Sequence, residues 1–211
     1  MKTKRTTEWG DWFHDGDPDA THERLGNAWW AWMFWVFILE QSADYIWERS
    51  FYTRLRSGQL RMPMALCVNA MLLGYAIECA LKALWVRKGN ALVKDGKFLG
   101  VKRTRNHDLV QLAAAVGFQL DSSEQRVLLH FSKAAMFAGR YPIAKSAGAM
   151  MPFVDDTLGK SDVGYFSSNE FRTATSVINK ILRQVSGKKR RVSARRRMPA
   201  RFVNESGRFV R

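Results

Sequence analysis

Apolar residues recur every three to four positions along most of this chain, the spacing typical of amphipathic helices. Glycine, proline and charged residues interrupt the pattern, and no stretch shows the clear apolar–polar alternation of a strand. The pattern predicts helices over residues 21–56, 62–88, 107–117, 121–138 and 167–187. Four of these are long and the third is short. The sequence therefore predicts an all-α fold, a bundle of four long helices plus a short helix.

The first residues of two predicted helices carry a specific N-terminal capping signal. Asp121 with Glu124, and Ser167 with Glu170, have the spacing of a capping box, in which the two side chains bond each other's backbone N–H groups. A glycine follows the second, third and last predicted helices, where a left-handed residue commonly ends a helix. These signals support the helix boundaries.

The second predicted helix, residues 62–88, is apolar almost all round, as expected of a helix enclosed by others. Its polar residues Tyr75, Glu78 and Lys82 lie within about 60° of one another on the helix surface. Glu78 and Lys82 can form an ordinary i,i+4 ion pair at a helix edge, or they can face a cleft that binds a ligand. The spacing alone leaves both interpretations open.

Charge divides the chain into three parts. We call residues 1–20 the N-terminal lead: it is irregular, acidic and rich in Gly and Asp, and we expect Trp9, Trp12 and Phe13 to pin it to the protein. Residues 21–187 form the predicted helical domain. Residues 188–211, the basic tail, contain ten Lys or Arg and one Glu, giving +9 of the net charge of +15. The tail has too little apolar sequence to fold alone, so we expect disorder there.

The two cysteines and the uncharged run at residues 28–39 bear on disulfide bonding and on cellular location. Cys67 and Cys79 lie twelve residues apart on one predicted helix, about 18 Å at 1.5 Å per residue, too far for a disulfide bond. The uncharged run 28–39 is shorter than the roughly twenty residues that a membrane span needs. With no secretory signal visible, we expect a cytoplasmic protein with reduced thiols and no transmembrane segment.

No motif for a cofactor or a metal is found. His14 lies among aspartates, and three further aspartates lie in the 139–166 segment, but solvated loops explain both groups better than metal sites do. Phosphate-binding loops, zinc-ligand spacings and dinucleotide turns are missing from the sequence. We therefore predict neither a metal nor a cofactor.

Three fragments, in order, resemble the HEPN domains (higher eukaryotes and prokaryotes nucleotide-binding). They are residues 74–84 (GYAIECALKAL), 106–112 (NHDLVQL) and 139–142 (GRYP), and together they span about a third of the chain. The resemblance implies a HEPN-like bundle that binds RNA or a nucleotide and forms a homodimer through bundle helices. It also implies a partner protein of the nucleotidyltransferase type. The ligand-binding residues that it implies are Tyr75, Glu78, Lys82, His107, Asp108, Arg140 and Tyr141.

Two of these residues, His107 and Arg140, have equally good alternative roles. His107 or Asp108 can begin the short helix, and the His107 ring can then bond backbone groups instead of a ligand. Arg140 can clamp an anion, or it can anchor its loop to Glu78.

Some members of the family are metal-independent RNases, whose signature is an Arg, four to six further residues and a His. None of the four histidines here is preceded by Arg at that spacing, so we lean towards a protein that is not an enzyme. The nearest approach is Arg126 and His130, which have only three residues between them. They define the alternative hypothesis, a toxin-type RNase with a degenerate site; the ordinary interpretation packs His130 in the bundle and points Arg126 to water.

The basic tail suggests a function independently of any family. Dense Lys and Arg neutralise phosphates and give salt-dependent binding that is indifferent to base sequence. An anionic membrane would attract the same charge, and a solubilising extension is also possible. The candidate nucleic-acid-binding residues of the basic tail are Lys188, Lys189, Arg190, Arg191, Arg195, Arg196, Arg197 and Arg201. We expect a non-catalytic nucleic-acid- or nucleotide-binding protein, with a pure protein-interaction module as a further alternative.

Overall fold

The computed structural model describes residues 17–50, 65–102, 104, 107–138, 153–155, 159–161 and 166–187. These residues are mostly helical, which confirms the predicted all-α class. The helices are α1 (Pro18–Gly26), α2 (Trp29–Ser50), α3 (Ala65–Arg87), α4 (Leu109–Ala115), α5 (Ser122–Lys133) and α6 (Ser168–Ser186). A π-helical turn, Ala134–Ala138, continues α5.

Helix α3 lies at the centre of the fold and contacts α2, α4, α5, α6 and the π-helical turn. Its residues Ala76, Ile77 and Leu81 are fully buried, which explains why its sequence is apolar nearly all round. Gly74 lets α5 approach closely, because a Cβ at this position would stand 3.1 Å from the carbonyl oxygen of Phe131. The core of the described residues is therefore built around α3.

Among the described residues, α3 is also the one helix whose length and composition would suit a membrane span. Its residues 66–87 meet that criterion, and 61% of its most apolar 18-residue window is buried inside the fold. A core helix of a folded domain meets the same criterion, because packing against other helices also favours apolar residues on all sides.

The single helix predicted over residues 21–56 is two helices where the structure describes it. Helix α1 begins at Pro18, three residues before the predicted start near Thr21. Asp17 caps this helix: its Oδ1 accepts hydrogen bonds from the backbone N–H groups of Asp19 (2.9 Å) and Ala20 (3.2 Å). A proline in the first turn after such a cap favours a helix start, so Asp17-Pro18 is a local signal for this helix.

The break between α1 and α2 lets the strand that contains Val93 pack closely against this part of the chain. A Cβ on Gly26 would stand 2.1 Å from Cγ2 of Val93, so a side chain there would displace the strand. The Asn27 side chain bonds the same strand: its Nδ2 donates to the carbonyl oxygen of Val93 (2.7 Å), and its Oδ1 accepts from the backbone N–H of Leu92 (2.7 Å). These side-chain contacts join the helix break to the strand.

No strand was predicted from the sequence, and this prediction was wrong: the structure contains two short antiparallel hairpins. The first pairs β1 (Val93–Lys94) with β2 (Lys97–Phe98) around Asp95 and Gly96, whose φ angles are +50° and +70°. Positive φ at both central residues is typical of a two-residue hairpin turn, and Asp-Gly is its common sequence. The second hairpin, β3 (Phe153–Asp155) with β4 (Gly159–Ser161), lies in the segment predicted to be irregular.

Both predicted capping boxes are present. Asp121 accepts a hydrogen bond from the backbone N–H of Glu124, whose carboxylate accepts one from the backbone N–H of Asp121. Ser167 and Glu170 form the same pair at the start of α6. Helix α6 ends before Gly187, whose φ of +63° is left-handed, as predicted for a helix-terminating glycine.

Candidate functional site

The polar residues of α3 meet a histidine from the turn before α4. The Glu78 carboxylate bonds on both sides: Oε1 lies 2.6 Å from Lys82 Nζ, and Oε2 lies 2.7 Å from His107 Nδ1. The side chains of Glu78, Lys82 and His107 are 11%, 16% and 27% exposed, so the group lies at the edge of the core. We call these three residues the charged cluster.

The turn before α4 positions His107. Asp108 is the N-cap of α4, and its Oδ1 accepts from the backbone N–H of Gln111 at 3.0 Å. His107, one residue earlier, has a φ of +66°, a left-handed conformation that costs a non-glycine residue about 1–3 kcal/mol. The bond from its ring to Glu78 helps to hold this conformation. The Asp108 carboxylate therefore caps the helix, whereas the His107 ring bonds Glu78 instead of the backbone groups expected in its alternative role.

The electrostatics of the charged cluster favour the ionised carboxylate. Burial by itself raises the pKa of Glu78. The charges and hydrogen bonds of Lys82 and His107 outweigh burial, so the pKa lies below its ordinary value. An anionic Glu78 fixes the His107 ring through Nδ1 and leaves Nε2 on the other side of the ring.

Two aromatic rings complete the surroundings of Lys82. Its Nζ lies 5.1 Å from the ring centroid of Trp32 and 5.3 Å from that of Phe98. Trp32 belongs to α2 and Phe98 to strand β2, so three elements meet at one ammonium group. The two ring centroids are 6.3 Å apart, and the Phe98 ring is 49% exposed. A cation held against aromatic faces is a favourable arrangement, contributing about 0.5–2 kcal/mol.

Tyr75 lies on the other side of the charged cluster. Its ring centroid is 5.4 Å from that of His107. Its hydroxyl donates to the carbonyl oxygen of Ala135 at 3.0 Å, in the π-helical turn. Tyr75 therefore joins α3 to the π-helical turn while its ring supports His107.

An aromatic pocket of about 450 Å³ adjoins the charged cluster. It opens between α1, the start of α2 and the β1–β2 hairpin, and Trp32 and Phe98 belong to both sites. Its lining is almost entirely apolar and consists of His22, Leu25, Gly26, Trp30, Ala31, Trp32, Phe34, Trp35, Val93 and Phe98. The volume lies in the range of small-ligand sites.

Arg126 and His130, the weak catalytic candidates, are separated by burial. Arg126 is exposed, whereas the His130 ring is 1% exposed and stacks on Phe166 with a centroid distance of 4.0 Å. His130 Nδ1 lies 2.7 Å from Glu170 Oε1, the carboxylate that also takes part in the capping box of α6. This geometry matches the ordinary interpretation, in which His130 packs in the core.

Neither cysteine is a good nucleophile. Cys67 and Cys79 form no disulfide bond, and Cys67 is buried. Burial raises the pKa of the Cys79 thiol to about 12, with smaller and opposing effects from Lys82 and Glu78. A thiol with so high a pKa is protonated near neutral pH and reacts slowly.

The structure thus brings together four of the residues that the resemblance indicated: Tyr75, Glu78, Lys82 and His107. Arg140, Tyr141 and the basic tail lie outside the described residues. Trp32 and Phe98 were not singled out from the sequence. The Asp-Gly turn could have placed Phe98 on a hairpin, but nothing local showed that this hairpin folds back onto α2 and α3.

Within the described part of the chain, no three His, Cys, Asp or Glu side chains lie close enough to hold a metal ion. Comparison of the chain with protein-family models, with curated proteins and with solved structures gives no match.

Proposed function

We propose that this chain is a non-catalytic, HEPN-like protein that binds RNA or a nucleotide. The observation that supports the proposal best is the position of Lys82, whose ammonium lies 5.1 and 5.3 Å from the ring centroids of Trp32 and Phe98. Proteins bind single-stranded nucleic acid by pairing cations with aromatic rings, since the rings stack on bases while the cations attract phosphates. Both kinds of group stand side by side here.

The surroundings of Phe98 add positive charge. Lys94 and Lys97, on the hairpin that carries Phe98, are both exposed. The whole chain carries a net charge of +15, and the basic tail contributes +9 of it. Such a charge attracts phosphates without regard to base sequence. We therefore expect a base to stack on the exposed Phe98 ring while lysines and the basic tail hold the phosphates.

Three observations argue against catalysis by Arg126 and His130. The spacing of the RNase signature is missing from the sequence, the His130 ring is buried, and Arg126 is exposed on α5. A general base must reach the proton that it removes, and a fully buried ring cannot contact an RNA strand. Binding without cleavage is the better-supported function.

A second function, protein interaction, is favoured by the outer face of α2. Phe34, Trp35 and Phe37 are 37%, 55% and 51% exposed. Exposed aromatic groups of this kind mark protein interfaces, so they suit the homodimer or the nucleotidyltransferase-type partner that the resemblance implies. Sedimentation velocity tests the homodimer: Phe37→Lys should convert a dimer to a monomer, and Phe37 does not line the aromatic pocket. A chain that is monomeric at high concentration contradicts it.

Fluorescence anisotropy with a labelled single-stranded RNA of about ten nucleotides tests the binding proposal. We expect an affinity that falls steeply with salt. Phe98→Ala should weaken binding about tenfold, the equivalent of one lost base stack of about 1–3 kcal/mol. The matched control is Arg183→Gln, because Arg183 is exposed and its Nε bonds its own helix at Asn179. RNA binding that is not detected, or that does not respond to Phe98→Ala, contradicts the proposal.

A further inference from the structure

The aromatic pocket is open on the side where α2 meets the β1–β2 hairpin. Trp35 and Phe98 line it and remain 55% and 49% exposed. Large aromatic surface left in water is unfavourable, because burial of apolar area is what the hydrophobic effect rewards. The pocket therefore favours an apolar occupant, and its volume of about 450 Å³ suits one or two aromatic side chains.

Charge near the pocket further defines this occupant. The sequence between α3 and α4 that contains the hairpin, residues 90–105, carries five Lys or Arg and one Asp. Lys94 and Lys97 on the hairpin strands are exposed. Carboxylates on either side of the apolar groups would complement these cations. The expected ligand is an aromatic side chain flanked by acidic residues.

One segment of the chain has this chemistry. Residues 8–16, with the sequence EWGDWFHDG, contain three aromatic residues and three acidic residues but no Lys or Arg. We call this the anchor segment, and it lies outside the described residues. It immediately precedes Asp17, the N-cap of α1, and three residues of α1 line the pocket.

The length of chain available permits the contact. The pocket residues His22 and Gly26 lie five and nine residues after Asp17, about 7.5 and 13.5 Å along α1 at 1.5 Å per residue. Trp12 lies five residues before Asp17, and an extended chain of that length reaches about 17 Å. The aromatic residues of the anchor segment are therefore within reach of the pocket by a simple reversal of direction before α1.

We propose that the aromatic pocket is the docking site of the anchor segment of the same chain, which inserts Trp12 or Phe13 between α2 and the β1–β2 hairpin. This inference is independent of the RNA-binding proposal. It has a consequence for that proposal, because a docked anchor would cover part of the Trp32 and Phe98 rings. The segment would then compete with any ligand that stacks on them.

Paramagnetic broadening of fluorine NMR signals tests the docking on the full chain. Tryptophans are replaced biosynthetically by 5-fluorotryptophan, and a nitroxide is attached at Gly10→Cys. Native Cys67 and Cys79 are buried or half-buried, and the chain without the new cysteine, labelled in parallel, corrects for any reaction there. We expect the signals of Trp30, Trp32 and Trp35 to lose at least half of their intensity and to regain it when the nitroxide is reduced.

Substitution of the three aromatic residues of the anchor segment distinguishes docking in the pocket from the effect of the covalent attachment of the segment to α1. With Trp9, Trp12 and Phe13 all changed to Ser, we expect the broadening of the three pocket tryptophans to fall at least twofold. The matched control changes Phe202 and Phe209 of the basic tail to Ser and should leave the broadening unchanged. Circular dichroism verifies that each variant keeps its helices. If the pocket tryptophan signals are broadened equally with and without these three aromatic residues, the proposal is overturned.

A mixed sample identifies which chain supplies the anchor. Nitroxide-labelled chain without fluorine is mixed with fluorinated chain without nitroxide. Intramolecular docking predicts no broadening beyond that produced by a free nitroxide at the same concentration. Specific broadening of the pocket tryptophans in this mixture would mean that a second copy supplies the segment, and it would overturn docking within one chain.

Discussion

The two histidine–glutamate pairs found among the described residues have the same Nδ1–oxygen distance, 2.7 Å, in very different surroundings. His130 is 1% exposed, stacks on Phe166 and bonds Glu170 at the start of α6. His107 is 27% exposed and shares Glu78 with Lys82 beside aromatic rings. The buried pair joins two helices, whereas the partly exposed pair positions groups that a ligand can contact.

The comparison shows that spacing in the sequence does not distinguish a structural histidine from one that can serve a site. Arg126 and His130 had nearly the spacing of a known catalytic signature, yet the ring is enclosed by α5, α6 and Phe166. His107 has a left-handed backbone, a carboxylate that orients its ring and a path to solvent. Burial and the neighbouring side chains, rather than the pair itself, decide which role a histidine can have.

The largest expected effect is the loss of the buried pair. His130→Ala removes the ring stacked on Phe166, leaves a cavity and takes away a hydrogen bond from Glu170. We expect the free energy of unfolding to fall by about 3 kcal/mol, measured by urea denaturation. The control is Arg126→Ala, one helical turn earlier and exposed, which should change stability by no more than about 0.5 kcal/mol. Equal effects of the two variants would contradict a structural role for His130.

The next effect tests what holds the partly exposed site together. Asn27→Ala removes the hydrogen bonds that join the helix break to Leu92 and Val93. We expect a loss of about 2 kcal/mol in unfolding free energy, because backbone groups of the strand lose their partners. Because Phe98 follows on the same hairpin, RNA affinity should fall as well. A variant that loses stability and keeps its RNA affinity would show that the hairpin does not position the binding surface.

Acid should weaken the partly exposed pair. Because the pKa of Glu78 in the fold lies below its ordinary value of 4.5, its contribution to stability is present above pH 4.5 and is lost as the pH falls through the folded value. Glu78→Gln removes this contribution. We expect the unfolding free energy of the variant to change less with pH below 4.5 than that of the natural chain, measured in urea at several pH values. Parallel pH profiles would contradict the expected ionic role of Glu78.

The smallest effect should come from His107. His107→Gly loses the partly exposed hydrogen bond to Glu78, worth about 1 kcal/mol, but it also relieves the left-handed φ of +66°. These changes oppose each other, so urea denaturation should show a change within about 0.5 kcal/mol. A loss comparable with that of His130→Ala would mean that the two pairs have the same structural role.

Much of the fold could be predicted from local sequence, and the reasons are specific. The capping boxes at Asp121 and Ser167 and the glycine after α6 depend only on neighbouring residues, and all three are present. The break after Gly26 could not be predicted from helical periodicity, because it depends on Val93, a residue more than sixty positions away. The turn at Asp95-Gly96, by contrast, is a local signal that indicates the first hairpin.

The candidate site could be predicted only in part. Glu78 and Lys82 are four residues apart on one helix, so their pairing follows from helix geometry. The contact of His107 with Glu78 joins residues 29 positions apart, and the resemblance had indicated only that both residues belong to one ligand-binding site. Trp32 and Phe98 reach Lys82 from two other elements, and no local pattern indicates such a meeting.

The most direct test of the central claim, that the aromatic rings beside the charged cluster contact RNA, is ultraviolet cross-linking followed by mass spectrometry. The natural chain is irradiated with a single-stranded RNA and digested, and the modified residues are identified. We expect cross-links at Phe98 or Trp32, together with cross-links in the basic tail. Cross-links confined to residues 188–211 would contradict the claim and leave the tail as the RNA-binding part of the chain.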